Sequence, residues 1–261
     1  MLKKILSGFV GLMMFAGTAW ADEQADARRW HDGLYVGFGI GQTLNVGGGM
    51  TAPVAYQQQT GLPSDMFPRT TFEGHNVRPL QVSIGKAIND NLRVEASYTN
   101  YLGLSFSEDP AFLDELGSSD VAMLNVYYNL DSIVGSFIDG KLRPYVGAGI
   151  GMSVNAMSGF SHINPYYYGA FLPFGSTTRS LAYALEAGLT HELGNGLSFD
   201  FFARWMNLGS LNATGDVMHG VEQTPVPGSP GFYDVTYQRD NWRESGTLSV
   251  LDMGVRLRLM F

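Results

Sequence analysis

Nine charged side chains, Arg93, Glu95, Arg143, Glu186, Asp200, Arg204, Asp252, Arg256 and Arg258, share one parity of segments that alternate apolar and polar residues. Guanidinium and carboxylate groups placed this way do ion-pair chemistry: they line a path for ions or neutralise one another as a packed network. Five cations (Arg93, Arg143, Arg204, Arg256, Arg258) stand against four anions (Glu95, Glu186, Asp200, Asp252). Near-balance favours a paired plug, because an unpaired charge in a confined space is costly. The other chemistries have little support. His31, His75, His162, His191 and His219 do not pair at metal-ligand spacing, so no metal is expected. No Ser–His–acid set stands out on neighbouring segments, so no catalytic residue is expected. Gly37-x-Gly39-x-Gly41 and Gly147-x-Gly149-x-Gly151 have strand period rather than the G-x-G-x-x-G spacing of a dinucleotide site. They face the lumen and read as room for long arginines or as sites of a sharp bend, and no cofactor is expected.

The elements that must position these charges are strands. In Leu251–Phe261, Leu251, Met253, Val255, Leu257, Leu259 and Phe261 fall on one face, and Asp252, Arg256 and Arg258 on the other. Seven more segments alternate similarly: 33–44, 79–88, 92–102, 120–130, 142–153, 180–190 and 197–208; with 247–261 they make eight. Each is close to the roughly 9–11 residues that a tilted strand needs to cross a bilayer. Outward sets such as Leu34, Val36, Phe38, Ile40 and Phe199, Phe201, Ala203, Trp205 are apolar, whereas the nine charges point inward. A soluble ligand-binding barrel would show the reverse. Lys86 is the exception, near a strand end where it can snorkel. Tight turns at 89–91 and 191–196 alternate with long connectors at 45–78, 103–119, 154–179 and 209–246. The expected fold is all-β: an eight-stranded antiparallel transmembrane β-barrel, an up-and-down meander with four long extracellular loops. The connector 131–141 fits poorly, being long where a short turn is expected, and its apolar Ile133, Val134, Phe137 and Ile138 are expected to pack at the periplasmic rim.

Lys3 and Lys4 precede an apolar stretch, and Ala19-Trp20-Ala21 supplies a small-x-small cleavage site, so residues 1–21 read as a signal peptide cut after Ala21. Residues 22–32 are then a short periplasmic segment and 33–261 the barrel. Removing the two leader lysines takes the formal net charge from −8 to −10, which leaves no electrostatic footprint for nucleic acid. With no cysteine, no disulfide staples the exported chain.

The pieces Gly33-Leu-Tyr-Val-Gly-Phe-Gly-Ile-Gly41, Asn91-Leu-Arg-Val-Glu-Ala-Ser-Tyr98, Leu142-Arg-Pro-Tyr-Val-Gly-Ala-Gly-Ile-Gly151 and the terminal Phe261 resemble the small outer-membrane β-barrel family, with its OmpA-type, OmpX-type and Opa-like members. The resemblance covers the whole mature chain and implies the outer membrane of a Gram-negative cell. It also implies insertion by the outer-membrane assembly machinery, with Phe261 as the assembly signal, and contact with outer-membrane lipid and lipopolysaccharide. A periplasmic domain after Phe261 is not expected. The lipid A deacylase type of small barrel carries a His-x-Ser pair on a late strand, which this chain lacks.

Aromatic residues concentrate in the third and fourth long connectors: Tyr166, Tyr167, Tyr168, Phe171 and Phe174, then Phe232, Tyr233, Tyr237 and Trp242. Large rigid side chains on loops suit contact with a host or surface ligand, though a girdle at the membrane interface uses the same residues. The reading is therefore a monomeric surface protein with a structural or interaction role, as adhesin or surface antigen, acting through its loops around a plugged lumen. The alternative is a narrow porin-like channel for small solutes or ions.

Overall fold

The computed structural model describes residues 33–51, 70–71, 77–106, 115–134, 142–157, 162–164, 169–174, 176–225, 227 and 233–261. The strands are β1 (Leu34–Thr51), β2 (Thr70–Thr71), β3 (Arg78–Ala87), β4 (Leu92–Phe106), β5 (Glu115–Asn129), β6 (Leu142–Met157), β7 (His162–Asn164), β8 (Gly169–Phe174), β9 (Ser176–Gly194), β10 (Leu197–Pro225) and β11 (Tyr233–Met260); a one-turn helix, α1 (Asp131–Val134), follows β5. Eight of them, β1, β3, β4, β5, β6, β9, β10 and β11, pair in sequence order, and β11 pairs back with β1 through Tyr35↔Met260 to Thr51↔Ser245. All these pairings are antiparallel, so the sheet is a closed meander. Closure satisfies every backbone group that would otherwise face lipid as an edge.

Alternation sets which side chain faces which solvent. Phe38, Leu124, Ile150, Leu181, Leu185, Phe201 and Met253 are exposed, while their sequence neighbours on the opposite parity are buried or half-buried. Among the described residues no helix is long and apolar enough to cross a membrane. The exposed apolar belt crosses on strands.

The strands begin on the short-turn side where alternation places them, but most run further at the other end. β10 and β11 have 29 and 28 residues, well beyond a lipid crossing of roughly 9–11. The connector 209–246, expected as a loop, is largely a hairpin paired from Gly209↔Leu248 to Pro225↔Tyr233. β8 joins its flank through Thr214↔Phe174 to Met218↔Ala170, and β7 pairs β8 in turn. The connectors 45–78, 103–119 and 154–179 likewise give residues to β1, β4, β5, β6 and β9. The reason is physical: alternation reports lipid on one face, and above the lipid the ladder continues without it.

The short turns are chemically specified. Asn195 (φ 53°) and Gly196 (φ 76°) form the two-residue link between β9 and β10, the left-handed pair that Asn-Gly supplies in a type I′ turn. At the β3–β4 turn the Asn89 Oδ1 accepts from the backbone N–H groups of Asn91 and Leu92 at 2.9 and 2.8 Å. In α1, Ile133 is exposed rather than packed at the rim. What holds this connector is polar: the Leu130 N–H donates to the Pro144 carbonyl at 2.7 Å, and Arg143 binds Asp131.

Candidate functional site

The lumen is where the sequence-marked charges converge. Arg93, Glu95, Glu186, Asp200, Arg204, Asp252, Arg256 and Arg258 are all buried there, supplied by β4, β9, β10 and β11. Eight strands enclose a space that side chains alone can fill.

Nearest the periplasm, Arg258 donates to Asp200 at 2.8 Å and to the Thr190 hydroxyl at 3.3 Å. The Thr190 hydroxyl itself donates to Asp200 at 2.7 Å. Arg93 approaches the other Asp200 oxygen at 3.5 Å, and its guanidinium lies over the corner formed by the perpendicular rings of Tyr127 and Tyr145, 4.5 and 4.4 Å from their centroids. Such paired cation–π contacts hold a desolvated guanidinium where few carboxylates reach.

One layer up, Arg256 is fully enclosed and donates to both Glu186 oxygens at 3.0 Å. It also stands 3.9 Å from Glu95 and 3.6 Å from Asp200. Glu95 accepts from Tyr35 (3.1 Å), Tyr127 (3.3 Å) and Gln81 (3.4 Å); Glu186 accepts from Tyr145 (2.8 Å).

The third layer pairs Arg204 with Asp252 at 3.2 Å. Arg204 also donates to Gln81 at 2.7 Å, and Asp252 accepts from Tyr101 at 2.5 Å and Thr43 at 2.8 Å. Toward the extracellular end the enclosed residues are uncharged and largely apolar: Met206, Leu208, Leu211, Leu248, Val250, Val46, Leu104 and Val121 belong to one buried cluster, with Ser119, Ser153 and Asn155 buried at the same level.

Arg143 stands apart from this network. It lies at the periplasmic rim, donating to Asp131 (2.8 Å), Glu192 (3.0 Å) and the Asp90 carbonyl (3.0 Å). It thereby ties together the β3–β4 turn, α1 and the end of β9.

Several members of the network were not singled out in the sequence: Tyr35, Thr43, Gln81, Tyr101, Tyr127, Tyr145, Thr190 and Phe202. All carry the inward parity that marked the charges, so the signal was present. Four of the rings lie directly opposite a glycine on the neighbouring strand: Tyr35↔Gly85, Tyr127↔Gly147, Tyr145↔Gly188 and Phe202↔Gly254. A Cβ at any of these glycines would run into the opposing ring. The room expected for arginines goes mainly to aromatic rings, although Gly37 and Gly39 do lie against Arg256.

The aromatic contact residues fall differently from expectation. Phe171 and Phe174 are strand residues of β8, and Tyr233, Tyr237 and Trp242 are strand residues of β11, opposite Pro225, Gly220 and Gly215. Tyr166, Tyr167, Tyr168 and Phe232 lie outside the described residues, as do Ala19 and Ala21 of the leader and the segment 22–32. Phe261 is exposed, and its N–H donates to the Leu34 carbonyl at 2.9 Å, pinning the C-terminus to the first strand. Among the described residues no group of His, Asp and Glu is arranged to hold a metal ion.

A closed antiparallel barrel with an apolar exterior and a charged interior defines a class, the membrane-spanning β-barrel. Residues 7–222 match the family described as the outer membrane protein beta-barrel domain, and the chain belongs to that family. It resides in the Gram-negative outer membrane. Similar solved structures include Neisserial surface protein A (13% identity, 88% of this chain and 98% of that one, TM-score 0.44). Others are OprG from Pseudomonas aeruginosa (11%, 88% and 98%, TM-score 0.48) and the attachment invasion locus protein Ail of Yersinia pestis (10%, 86% and 99%, TM-score 0.33). None of the curated proteins matches the chain.

Proposed function

We propose that this protein is a surface-displayed interaction protein, in which the barrel is the anchor and the extracellular extensions are the working part. The observation that carries the reading is the β10–β11 ladder, which continues to Pro225↔Tyr233 while the lipid-facing alternation is spent near Trp205 and Leu251. A protein that needed only a wall would have no use for a hairpin of this length. With β8 on its flank the hairpin offers a broad, backbone-defined platform for a host or surface ligand. The paired lumen supports the same reading, since its charges neutralise one another and act as a plug. The nine charges are thus assigned structural work, and no catalysis is assigned to the chain.

The apolar belt is the face for outer-membrane lipid and, in the outer leaflet, lipopolysaccharide. The assembly machinery is assigned the strand ending at Phe261, and the barrel works as a monomer. A narrow channel for small solutes or ions is the alternative, and it requires both the Arg204–Asp252 layer and the apolar layer to part. The discriminating experiment compares adhesion of cells displaying the full protein with cells displaying a variant whose hairpin is cut back to Ser210 and Thr247. Lost adhesion with an intact, heat-modifiable barrel supports the interaction role. Unchanged adhesion removes it.

A further inference from the structure

The periplasmic mouth of the barrel leads into a cavity of about 670 Å³, within the usual range for small-molecule sites. Arg93 and Arg258 reach it from the lumen, with the hydroxyl residues Thr190 and Ser198 beside them, and Lys86 and Arg143 line it nearer the rim.

The charge network behind this cavity balances in number but not in position. Arg93 and Arg258 share one carboxylate, Asp200, which Arg256 also approaches. Glu95 and Glu186 are drawn to Arg256 instead. Two guanidinium groups therefore share one carboxylate at the cavity floor, while deeper in the lumen two carboxylates meet one guanidinium; over the whole lining Lys86, Arg93, Arg143 and Arg258 stand against Asp90 and Glu192. The network is polarised, positive toward the periplasm. Arg93 Nη2 meets Asp200 only at 3.5 Å, and the Nε atoms of Arg93 and Arg258, like those of Arg204 and Arg256, have no hydrogen-bond partner among the described residues. Contacts with the perpendicular Tyr127 and Tyr145 rings fix the Arg93 guanidinium in advance, so little freedom is lost when it is engaged. At the rim Arg143 is already occupied by Asp131 and Glu192, which leaves Arg93 and Arg258 as the guanidinium groups on offer to an anion.

We propose that this cavity is a binding site for a small oxyanion, a phosphate or carboxylate group, entering from the periplasm and seated against Arg93 and Arg258. Forked guanidinium donors suit both groups, and the Thr190 and Ser198 hydroxyls complete a polar cradle. Access from outside the cell is closed by the Arg204–Asp252 layer and the apolar layer above it. A soluble periplasmic anion and the phosphate of an inner-leaflet lipid headgroup present the same chemistry.

The test is a titration of the refolded full chain in nonionic maltoside micelles with inorganic phosphate and, separately, succinate, read by NMR at the arginine Nε–H groups. The Arg93 and Arg258 signals should move saturably while that of Arg204 stays still. Arg258→Gln should weaken binding roughly tenfold, as loss of a charged hydrogen-bonding group does. Arg258→Lys, which keeps the charge and protects the fold, should weaken it less. A second arm uses nanodiscs containing phosphatidylglycerol. Signals already displaced without added anion assign the site to a lipid phosphate; displacement only on titration assigns it to a soluble anion. Signals that stay still in both arms, or a non-saturating drift shared with Arg204, overturn the proposal.

Discussion

Tyr127 on β5 lies flat against Gly147, its directly paired residue on β6, in space that any Cβ at Gly147 would fill. This pairing lets the Tyr127 ring stack on Arg93 at 4.5 Å while its hydroxyl donates to Glu95 at 3.3 Å. One missing side chain therefore positions a ring that serves two members of the lumen network.

Gly147→Ala is expected to destabilise the barrel by about 1–3 kcal/mol, the usual cost of forcing an extra carbon into a packed interior. Urea unfolding of the refolded protein in lipid reads this directly. Adding Tyr127→Ala to Gly147→Ala should cost less than the two separate effects combined, because the clash is removed with the ring. Strict additivity would show that the ring and the glycine do not constrain each other.

The arginines should rank by the carboxylates they leave behind. Arg256→Met abandons Glu186, Glu95 and Asp200 and is expected to cost the most. Arg204→Met breaks one buried pair with Asp252, for which about 3–5 kcal/mol is the ordinary loss. Arg143→Met, at the partly exposed rim, should cost no more than about 1 kcal/mol per pair. Asp252→Asn in the Arg204→Met background should restore part of the stability, since it removes the orphaned charge. Denaturant midpoints in a different order would mean that the carboxylates left behind do not set the cost.

Much of this was legible in alternation alone. The period-2 pattern located the eight barrel strands and assigned an inside and an outside, because lipid and a polar lumen impose opposite demands on adjacent residues. The same pattern stopped short at Leu208 and resumed at Thr247, although the ladder between Gly209 and Leu248 continues to Pro225 and Tyr233. Outside the membrane a strand needs partners but no apolar face, so its sequence carries no such mark. The tyrosines of the network were passed over because a Tyr reads as apolar in a hydropathy pattern. Tyr101, whose hydroxyl reaches Asp252, is polar only at its tip. Arg143 shared the parity of the buried charges, and only its height along the barrel separates it from them.

The Asn195-Gly196 turn offers a test away from the lumen. Asn195→Val places a β-branched residue at φ 53°, where a left-handed conformation costs roughly 1–2 kcal/mol. Asn195→Gly should be nearly neutral. Refolding yields measured side by side should fall for the valine variant and hold for the glycine variant. Equal yields would mean that the turn does not guide β9 onto β10.

A barrel closed by the β1–β11 ladder has no edge for detergent to open, so unheated protein should run differently from boiled protein on SDS gels. Phe261→Ala is expected to lower the folded fraction recovered from cell envelopes. Identical mobility before and after boiling would speak against closure.

Single-molecule conductance of the refolded wild-type protein in a planar bilayer addresses the plugged anchor most directly. With the lumen filled by the Arg258–Asp200, Arg256–Glu186 and Arg204–Asp252 layers beneath an apolar seal, the protein is expected to be electrically silent, with leakage rising only when Arg204 or Arg256 is replaced. Steady wild-type conductance, with arginine variants that change ion selectivity without loss of stability, would contradict the plug and make the channel the primary function.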